Sequence, residues 1–576
     1  MVWKRSDPQG HEAAKIKWEI VPWTRGRVLD VGSGPCKAFP HFIGLDNGHD
    51  IRTFGHQFRP DVWIDDAADL RLFASEEYDA VFSSHLLEHI EPKNVVKTLR
   101  EWWRVIKVGG YMVLYLPDET LYPKVGEVGA NPDHKWDVSY TLLVELQRKT
   151  GVSWDLIEWQ RRDQDNEYSL YFVFQKLKEQ PSGFPLQTFS CIEREERRKA
   201  CGKRACLVRY GAFGDLMQAS SVLAGLKSQG YHVTLMTSPP AHEVLAHDPN
   251  VDEFYLQDKD QVPNVELGSY WNYHKKKFDK WVNLSESVER TLLPFVPNTP
   301  AIISPAARHR LCNINYLEFQ HQIADVPHDP QVHFYATDAE RKWARAEKRA
   351  MGEFVVVYAL NGSSVNKRWA GMDQLIAALL VDFKDLHIVL VGGNDGQILE
   401  QGWFGWDKDP AKHEDAKKVQ TEPRVHCRCG KWDIRQTYSF LTESADLVFG
   451  PETGVLNCAC QLPVPKVVLL SHSTPENLCR DWVNTHAVAS EHTVCPGRGN
   501  NEAPACHLLH YGWDSCKQVN FPDDFPDEKL RGTPMGIAQC QHDLDFESVY
   551  RVVWHAVTWE MERKAGARPQ LAAAGG

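Results

Sequence analysis

Val28-Leu29-Asp30-Val31-Gly32-Ser33-Gly34-Pro35-Cys36 is a short apolar run that ends in a glycine turn. An apolar run of this length bounded by glycines reads as a buried strand. Glycines directly behind it permit a tight turn and a close backbone approach to a ligand. Outward from this turn, Phe42-Ile43-Gly44-Leu45-Asp46 is a second run of the same kind. Tyr78-Asp79-Ala80-Val81-Phe82-Ser83 is a third, Tyr111-Met112-Val113-Leu114-Tyr115 a fourth, and 169–178 looks like a closing strand. Helix-like segments such as 94–106 separate the later runs. Strands alternating with helices predict an α/β fold with a mostly parallel sheet covered on both faces.

The pattern then pauses and restarts. Residues 179–202 carry Pro, Gly, Ser and mixed charge, which is linker composition. Ala205-Cys206-Leu207-Val208-Arg209 is again a strand, 215–229 a helix, and Val233-Thr234-Leu235-Met236 a strand. A further restart comes at Phe354-Val355-Val356-Val357-Tyr358, followed by strands at 388–391, 447–449 and 467–470. The expected organisation is a first domain over 1–178, a linker over 179–202, a lobe over 203–345, a second lobe over 346–562 and a disordered tail over 563–576. A hinge is expected near 338–353. At about 100–200 residues per folding unit, 576 residues suit three or four units.

Composition narrows the classes of function. The chain is 43% hydrophobic and 25% charged, enough apolar material for several cores. The net charge is −12 with no basic stripe, which argues against a surface built to grip nucleic-acid phosphates. No apolar stretch reaches the roughly 20 residues that span a bilayer, so no transmembrane segment is expected. Behind Trp3, Lys4, Arg5 and Ser6 there is no apolar core of a secretory signal. Cytoplasmic residence is therefore the expectation, with the 14 cysteines mostly reduced thiols. Cys206 and Cys458 sit in apolar runs, where cysteine acts as a small hydrophobe.

The order of parts behind the first glycine turn is informative. Asp46 ends the second run, where a carboxylate can accept both hydroxyls of a ribose. Asp65-Asp66-Ala67-Ala68-Asp69-Leu70 precedes the third run, which leads into Ser83-Ser84-His85-Leu86-Leu87-Glu88-His89-Ile90. Pro35 and Cys36 exclude the small residues of a dinucleotide fingerprint. Over about the first 178 residues the sequence resembles a class I methyltransferase. The resemblance implies S-adenosylmethionine as cofactor, with its methionine part over Asp30, Gly32 and Gly34, its ribose on Asp46 and its adenine beside Asp66 and Ala67. Leu87-Glu88-His89 resembles the branch that methylates small molecules, lipids and sugars. His89 is a candidate general base, with packing against the sheet end as its alternative role. Asp133, His134 and Trp136 are expected to form an acceptor-facing wall.

Arg209-Tyr210-Gly211-Ala212-Phe213-Gly214-Asp215 also follows a strand and opens a helix. Alone, Asp215 would be an ordinary residue of a helix start. Three later segments accompany it: Asn361-Gly362-Ser363-Ser364-Val365-Asn366-Lys367-Arg368-Trp369, Val389-Leu390-Val391-Gly392-Gly393, and Gly450-Pro451-Glu452-Thr453-Gly454-Val455-Leu456-Asn457. Over about 203–540 the sequence resembles glycosyltransferase family nine, the ADP-heptose-type heptosyltransferases of lipopolysaccharide core synthesis. The matching blocks are Arg209 to Asp215, Lys367-Arg368-Trp369 and Gly450 to Gly454. Pro451-Glu452-Thr453 replaces the family's polar trio, and Asn457 stands in place of its histidine.

This resemblance implies two Rossmann-like lobes of the GT-B kind and inverting transfer from a nucleotide sugar, with an ADP-linked donor in the family manner. Asp215 would take the acceptor proton. Lys367 would face the departing diphosphate, together with the first amides of the helix opened by Thr453 and Gly454. Gly214, Ser363, Lys367, Glu452, Thr453 and Gly454 are the expected nucleotide-sugar contacts. The aromatic segment 261–335, with Tyr270, Trp271, Tyr273 and His274, is expected either to line the acceptor side of the cleft or to pack beside it. Cys495, Cys506, His507, Cys516 and Cys540 cluster near the end, with spacing too irregular for a standard zinc ribbon.

The function expected from the sequence is thus methyl transfer joined to glycosyl transfer in glycan or glycoconjugate synthesis. The partners would be a small-molecule donor and a glycan-type acceptor, with peripheral contact where that acceptor is lipid-linked. Two other readings stay open. One is modification of nucleic-acid bases by glycosylation and methylation. The other is a binding protein that keeps both folds without the chemistry.

Overall fold

A computed structural model describes residues 12–48, 59–286, 314–397, 421–490 and 518–566, apart from 522, 525–527 and 530. The chain forms two compact units. The first comprises Met1–Arg204 with Tyr255–Lys280, and the second Ala205–Phe254 with Trp281–Gly576.

The first unit is built on eight strands: β1 Val28–Val31, β2 Ile43–Asp46, β3 Val62–Trp63, β4 Tyr78–Ser84, β5 Ile106–Pro117, β6 Trp154–Arg162, β7 Ser169–Lys176 and β8 Gln187–Thr188. Their order is β3-β2-β1-β4-β5-β7-β6-β8. The strands from β3 to β5 pair in parallel, and β7 lies antiparallel between β5 and β6. All four residues of β1 are buried, as a central parallel strand covered on both faces requires. Helix Pro92–Val105 starts on a proline, whose missing N–H is no loss at a helix start. It buries Val95, Leu99, Trp102 and Trp103, and the two indoles donate to the Ala67 carbonyl and to Gln147 Oε1. Buried aliphatic side chains of this kind contribute about 1.5–3 kcal/mol each.

Strand β3 was not legible in the sequence. It has two residues, one of them exposed, so the run at Tyr78 is the fourth strand and not the third. Strand β6 also lacks an apolar signal, because Glu158, Gln160, Arg161 and Arg162 make up its second half. The stretch 179–202, expected as a linker, carries β8 and the helix Ser190–Cys201. Asp155 fixes the start of that helix by accepting from the Ser190 amide at 2.9 Å.

The second unit has a four-stranded sheet in the order β11-β10-β9-β12, formed by β9 Arg204–Val208, β10 His232–Thr237, β11 Glu253–Leu256 and β12 Lys280–Asn283. Its other large sheet is fully parallel, in the order β15-β14-β13-β16-β17-β18. The strands are β13 Phe354–Ala359, β14 Leu386–Val391, β15 Val425–Cys427, β16 Leu447–Pro451, β17 Lys466–Leu470 and β18 Thr485–Ala489. A small antiparallel pair, β19 Gln518–Asn520 and β20 Pro534–Ala538, follows. In each large sheet of the chain the first strand of its set lies beside the fourth, so strand order reverses there. A crevice opens at the carboxyl ends of the strands at such a reversal.

Where a hinge was expected, the structure has the helix Asp338–Met351. Thr337 and Glu340 form a capping box at its start, Glu340 also pairs with Arg435 at 2.6 Å, and Lys348 pairs with Asp446 at 2.6 Å. The final helix runs over Phe546–Lys564 and buries Val549, Val553 and Val557, so the expected tail begins inside a helix. The rest of it, 567–576, lies outside the described residues.

Tyr270, Tyr273 and His274 of the segment expected near the cleft have another place. Tyr270 is fully buried with its ring 5.8 Å from Trp18. His274 Nε2 lies 3.0 Å from the Trp18 carbonyl, and Gln261 donates to the carbonyls of Val21 and Thr24. Glu19 is buried between Lys277, with which it pairs, and the Tyr273 hydroxyl at 2.9 Å. Burial alone would raise that carboxyl, but Lys277 and then His274 and Arg162 hold it well below the usual carboxylate range. These residues therefore complete the core of the first unit, while Tyr316 and Gln320 of the same stretch belong to the second unit and line its cavity. Tyr270→Ala should destabilise that unit by about 3–5 kcal/mol, the usual loss for a truncated core aromatic. Denaturant unfolding followed by hydrogen exchange of first-unit amides measures this. Unchanged protection there would place the aromatic segment elsewhere.

Candidate functional site

The first crevice lies at the carboxyl ends of β1 and β4. Gly32 has a φ of 76°, and its amide donates to the Leu45 carbonyl at 2.8 Å, which ties the turn to β2. A Cβ on Gly32 would lie 2.7 Å from the Leu86 side chain, so only glycine allows the loop after β4 to come this close. Asp46, at the end of β2, accepts from the amides of Gly34 at 3.0 Å and Gly48 at 2.9 Å. Asp30 is buried beneath the turn. Burial pushes its carboxyl up to about 7, against the pull of the Ala38 amide and Lys37. Asp66 accepts from the Ala68 amide, and the Ala67 carbonyl accepts from Trp102. The structure therefore sets Asp30, Gly32, Gly34 and Asp46 around one turn, with Asp66 and Ala67 in the loop after β3.

His85 ends β4 with a φ of 50°, an uncommon backbone conformation that histidine adopts more readily than most residues. Its Nε2 lies 3.0 Å from Ser169 Oγ and its Nδ1 lies 3.5 Å from Glu88 Oε1. Glu88 is fully buried, and His134 Nε2 approaches the same oxygen at 3.7 Å. Burial pushes the Glu88 carboxyl up to about 8 and the imidazoles of His85 and His134 down to about 3 and about 4. Near neutral pH these contacts are approaches of neutral groups and not ion pairs. His89, half-buried, meets His134 edge to face with ring centroids 4.9 Å apart. Trp136 donates to the Leu87 carbonyl at 3.1 Å. The loop with Asp133, His134 and Trp136 thus lies against the loop after β4.

The second unit contains a cavity of about 1120 Å³. Asp215, Lys367, Gly214, Ser363, Glu452, Thr453 and Gly454 all line it. Two strand-order reversals meet there. Residues after β9 and the helix Phe213–Ser220 form one wall, and residues after β13 and β16 form the other. The walls touch through glycines. A Cβ on Gly214 would lie 2.6 Å from Asn457 Nδ2 and 3.3 Å from the Gly454 Cα. Gln218 donates to Asn457 Oδ1 at 2.9 Å, so the residue in place of the expected histidine links the two walls.

Asp215 accepts from the Ala212 amide at 2.8 Å and pairs with Arg209 at 3.0 Å. Arg209 also donates to the Leu284 carbonyl at 2.9 Å, which anchors the pair to the end of the sheet. Lys367 closes a short 3-10 turn, and its side chain lies over Gly362, where a Cβ would lie 2.5 Å from the lysine Cδ. Trp369 of the same block is buried against Phe449 and Phe546 and belongs to the core. Glu452 differs from a simple ligand contact. Its buried carboxylate accepts from Ser471, from Ser473 Oγ at 3.0 Å and lies 2.6 Å from His472 Nδ1. Burial raises such a group, but His472 outweighs it, with help from Lys367 and the Ser471 amide, and the carboxyl falls to about 2.

Several lining residues were not anticipated. Tyr438 donates to the Gly454 carbonyl at 2.9 Å from the middle of helix Ile434–Ser444, and nothing in its local sequence marks it. His472 was more accessible, since Ser471-His472-Ser473 follows directly on the apolar β17. Cys495, Cys506, His507 and Cys516 lie outside the described residues, while Cys540 is buried. No helix among the described residues is long and apolar enough to cross a membrane.

Residues 29–114 match the family model described as a methyltransferase domain. No curated protein matches the chain at a significant level. Among solved structures, the chain is similar to the Escherichia coli ADP-heptose lps heptosyltransferase II, at 13% identity and a TM-score of 0.40, covering 62% of this chain and 99% of that one. A glycosyl transferase family 9 structure from Veillonella parvula is similar at 15% identity and a TM-score of 0.41, covering 62% and 98%. The chain is also similar to a SAM dependent methyltransferase from Archaeoglobus fulgidus at 19% identity and a TM-score of 0.22, covering 28% and 92%. The fold is α/β, with an N-terminal Rossmann-like domain followed by two Rossmann-like lobes.

The Glu452 cluster gives a test of the cavity wall. A carboxyl whose folded pKa is depressed contributes stability above its unfolded pKa and loses it as the pH falls through the folded value. Here that window runs from about 4.5 down to about 2. Glu452→Gln should flatten the acid limb of second-unit stability in this window. His472→Ala, which leaves the buried charge without its main partner, should cost about 3 kcal/mol at neutral pH. Urea midpoints across the pH range decide this, and an unchanged acid limb in Glu452→Gln would contradict the assigned charge.

Proposed function

We propose that the chain is a bifunctional transferase, joining S-adenosylmethionine-dependent methyl transfer in the first unit to inverting glycosyl transfer from a nucleotide sugar in the second. The observation that carries this reading is the cavity at the meeting of two strand-order reversals, with a carboxylate on one wall and a lysine on the other. The first unit supports it independently, through its match to a methyltransferase-domain model and its glycine turn.

In the first unit, the turn at Gly32 and Gly34 admits a ligand backbone-close, and Asp46 is placed to accept ribose hydroxyls. Asp30, held near neutrality by burial, suits a cationic ligand group, which would favour its ionised form. Asp66 and Ala67 flank the adenine position. When bound, the cofactor supplies a methyl group on a sulfonium. The chain's own part is to align acceptor and methyl and to exclude water, with His89 available to take a proton from the acceptor.

In the second unit, Asp215 takes the proton from an acceptor hydroxyl as the new glycosidic bond forms, and Arg209 and the Ala212 amide hold it in place. Lys367 meets the diphosphate as it gains charge, assisted by amides at Thr453 and Gly454. Glu452 acts through the wall it braces, keeping the β16 loop fixed against Ser471 and His472. The donor is proposed to be an ADP-linked sugar and the acceptor a glycan of the lipopolysaccharide kind, worked on from the cytoplasm with peripheral contact where it is lipid-linked. The charge of −12 weighs against the base-modification reading. Retention of a carboxylate and a lysine on the cavity weighs against a binding protein without chemistry.

Asp46→Ala should weaken S-adenosylmethionine binding by about 1.5–3 kcal/mol through lost charge-assisted hydrogen bonds. Calorimetry on folded protein measures it, and equal affinity would put the ribose elsewhere. Asp215→Asn keeps size and the contact to the Ala212 amide region while removing the base. Glycosyl transfer should fall by about 10²–10⁴-fold with donor affinity close to wild type. Initial rates beside thermal midpoints decide it, and near-wild-type transfer would remove Asp215 as the base.

A further inference from the structure

Glu88, His89 and His134 lie together at the carboxyl end of β4, and each offers one ligand atom within 4.8 Å of the others. Among the described residues no other group of three His, Cys, Asp or Glu side chains meets in this way. Glu88 is fully buried, yet neither of its carboxyl oxygens has a hydrogen-bond partner. A buried polar group left in this state is destabilising unless something supplies its missing partner. The polar atoms nearest to it approach without bonding. His134 Nε2 stands 3.7 Å and His85 Nδ1 3.5 Å from Glu88 Oε1. The His134 distance is long for a hydrogen bond but near the spacing of two donors on one ion. Ligands about 2.1 Å from a tetrahedral cation are roughly 3.4 Å apart.

We propose that Glu88, His89 and His134 form a binding site for a divalent first-row cation of the zinc class. Two imidazoles and one carboxylate are a donor set for such ions, and three protein ligands leave a position open to a further oxygen or nitrogen. The surrounding groups hold the donors in place. His85, anchored by Ser169, lies beside the carboxyl. Tyr122 packs on the His134 ring at 5.2 Å, and the Lys135 amide donates to the Glu88 carbonyl at 2.8 Å. Drawing the ligand atoms onto one ion needs side-chain shifts within about 1.5 Å.

The site borders the first crevice, because Leu86, two residues before Glu88, is the side chain that closes on Gly32. Its role there rests on the methyl-transfer reading. A hydroxyl acceptor held at the open position becomes more acidic. With His89 engaged on the ion and no longer serving as the base, the proton leaves to water, the oxygen bonds to the methyl carbon, and the electron pair of the broken carbon–sulfur bond stays on sulfur.

The test uses the full chain, stripped with a chelator and titrated with zinc, then with cobalt(II) as a spectroscopic substitute. Binding should weaken by more than about 100-fold in Glu88→Gln and in His134→Ala, since even a partner of a ligand is worth about 10–100-fold. X-ray absorption of the zinc-loaded wild type should show imidazole and oxygen neighbours, a readout that does not depend on the variants folding. No binding, unchanged affinity in both variants, or coordination by sulfur alone from the cysteines near the end would overturn the site. Calorimetry with S-adenosylmethionine on the same preparation separates the two readings. Zinc binding without cofactor binding removes the methyl-transfer reading and keeps the cation site, and the reverse removes the cation site.

Discussion

Reversal of strand order is the constraint on which both candidate sites depend. A parallel sheet grows outward from its first strand in one direction and then, after a return to the centre, in the other. The two loops at the carboxyl ends of the central strands cannot cover each other, so a crevice opens between them. This happens at β1 and β4, at β9 and β12, and at β13 and β16. In each case the segment after the first strand carries glycine: Gly32 and Gly34, Gly211 with Gly214 in the first turn of the helix behind it, and Gly362. What distinguishes the crevices is the chemistry set on their rims. The first has buried carboxyls and histidines. The second and third share one cavity with an arginine-held aspartate on one side and a lysine on the other.

The buried polar groups follow a common rule. A carboxylate taken out of water must find several donors or give up its charge. Glu19 and Glu452 keep theirs, because Lys277 and Tyr273 in one case, and His472, Ser471 and Ser473 in the other, surround them. Asp30 and Glu88 have no such company, and burial pushes their carboxyls to about 7 and about 8. Both lie at the first crevice; in the second unit burial also pushes Asp373 up to about 6 and Lys466 down to about 7. Perturbed groups of this kind point to a ligand site where, as at the first crevice, they also border an opening.

Much of this was legible in the sequence because turns and strand ends have local signatures. The runs ending at Val31, Asp46 and Tyr358 announce themselves by continuous apolar residues stopped by glycine, asparagine or aspartate. The cavity residues from Asp215 to Gly454 were picked out because their blocks resemble those of glycosyltransferase family nine, each block coming after such a run. Strand β3 and the second half of β6 were missed, since two residues, or a run of charged ones, carry no periodicity. The placement of Tyr270 and His274 was also hidden. Their helix is short and apolar on one side, and only the tertiary contacts with Trp18 and Glu19 decide which core it joins. Tyr438 and the meeting of Glu88 with His134 are long-range facts of the same sort, beyond any local pattern.

Two donor sites on one chain is the central claim, and a calorimetric titration of the full protein with S-adenosylmethionine and then with a nucleoside diphosphate addresses it directly. Two sites of unit stoichiometry that fill without competing, the first sensitive to change at Asp46 and the second at Lys367, is the predicted result. Binding of neither ligand, or competition of both for a single site, would contradict it.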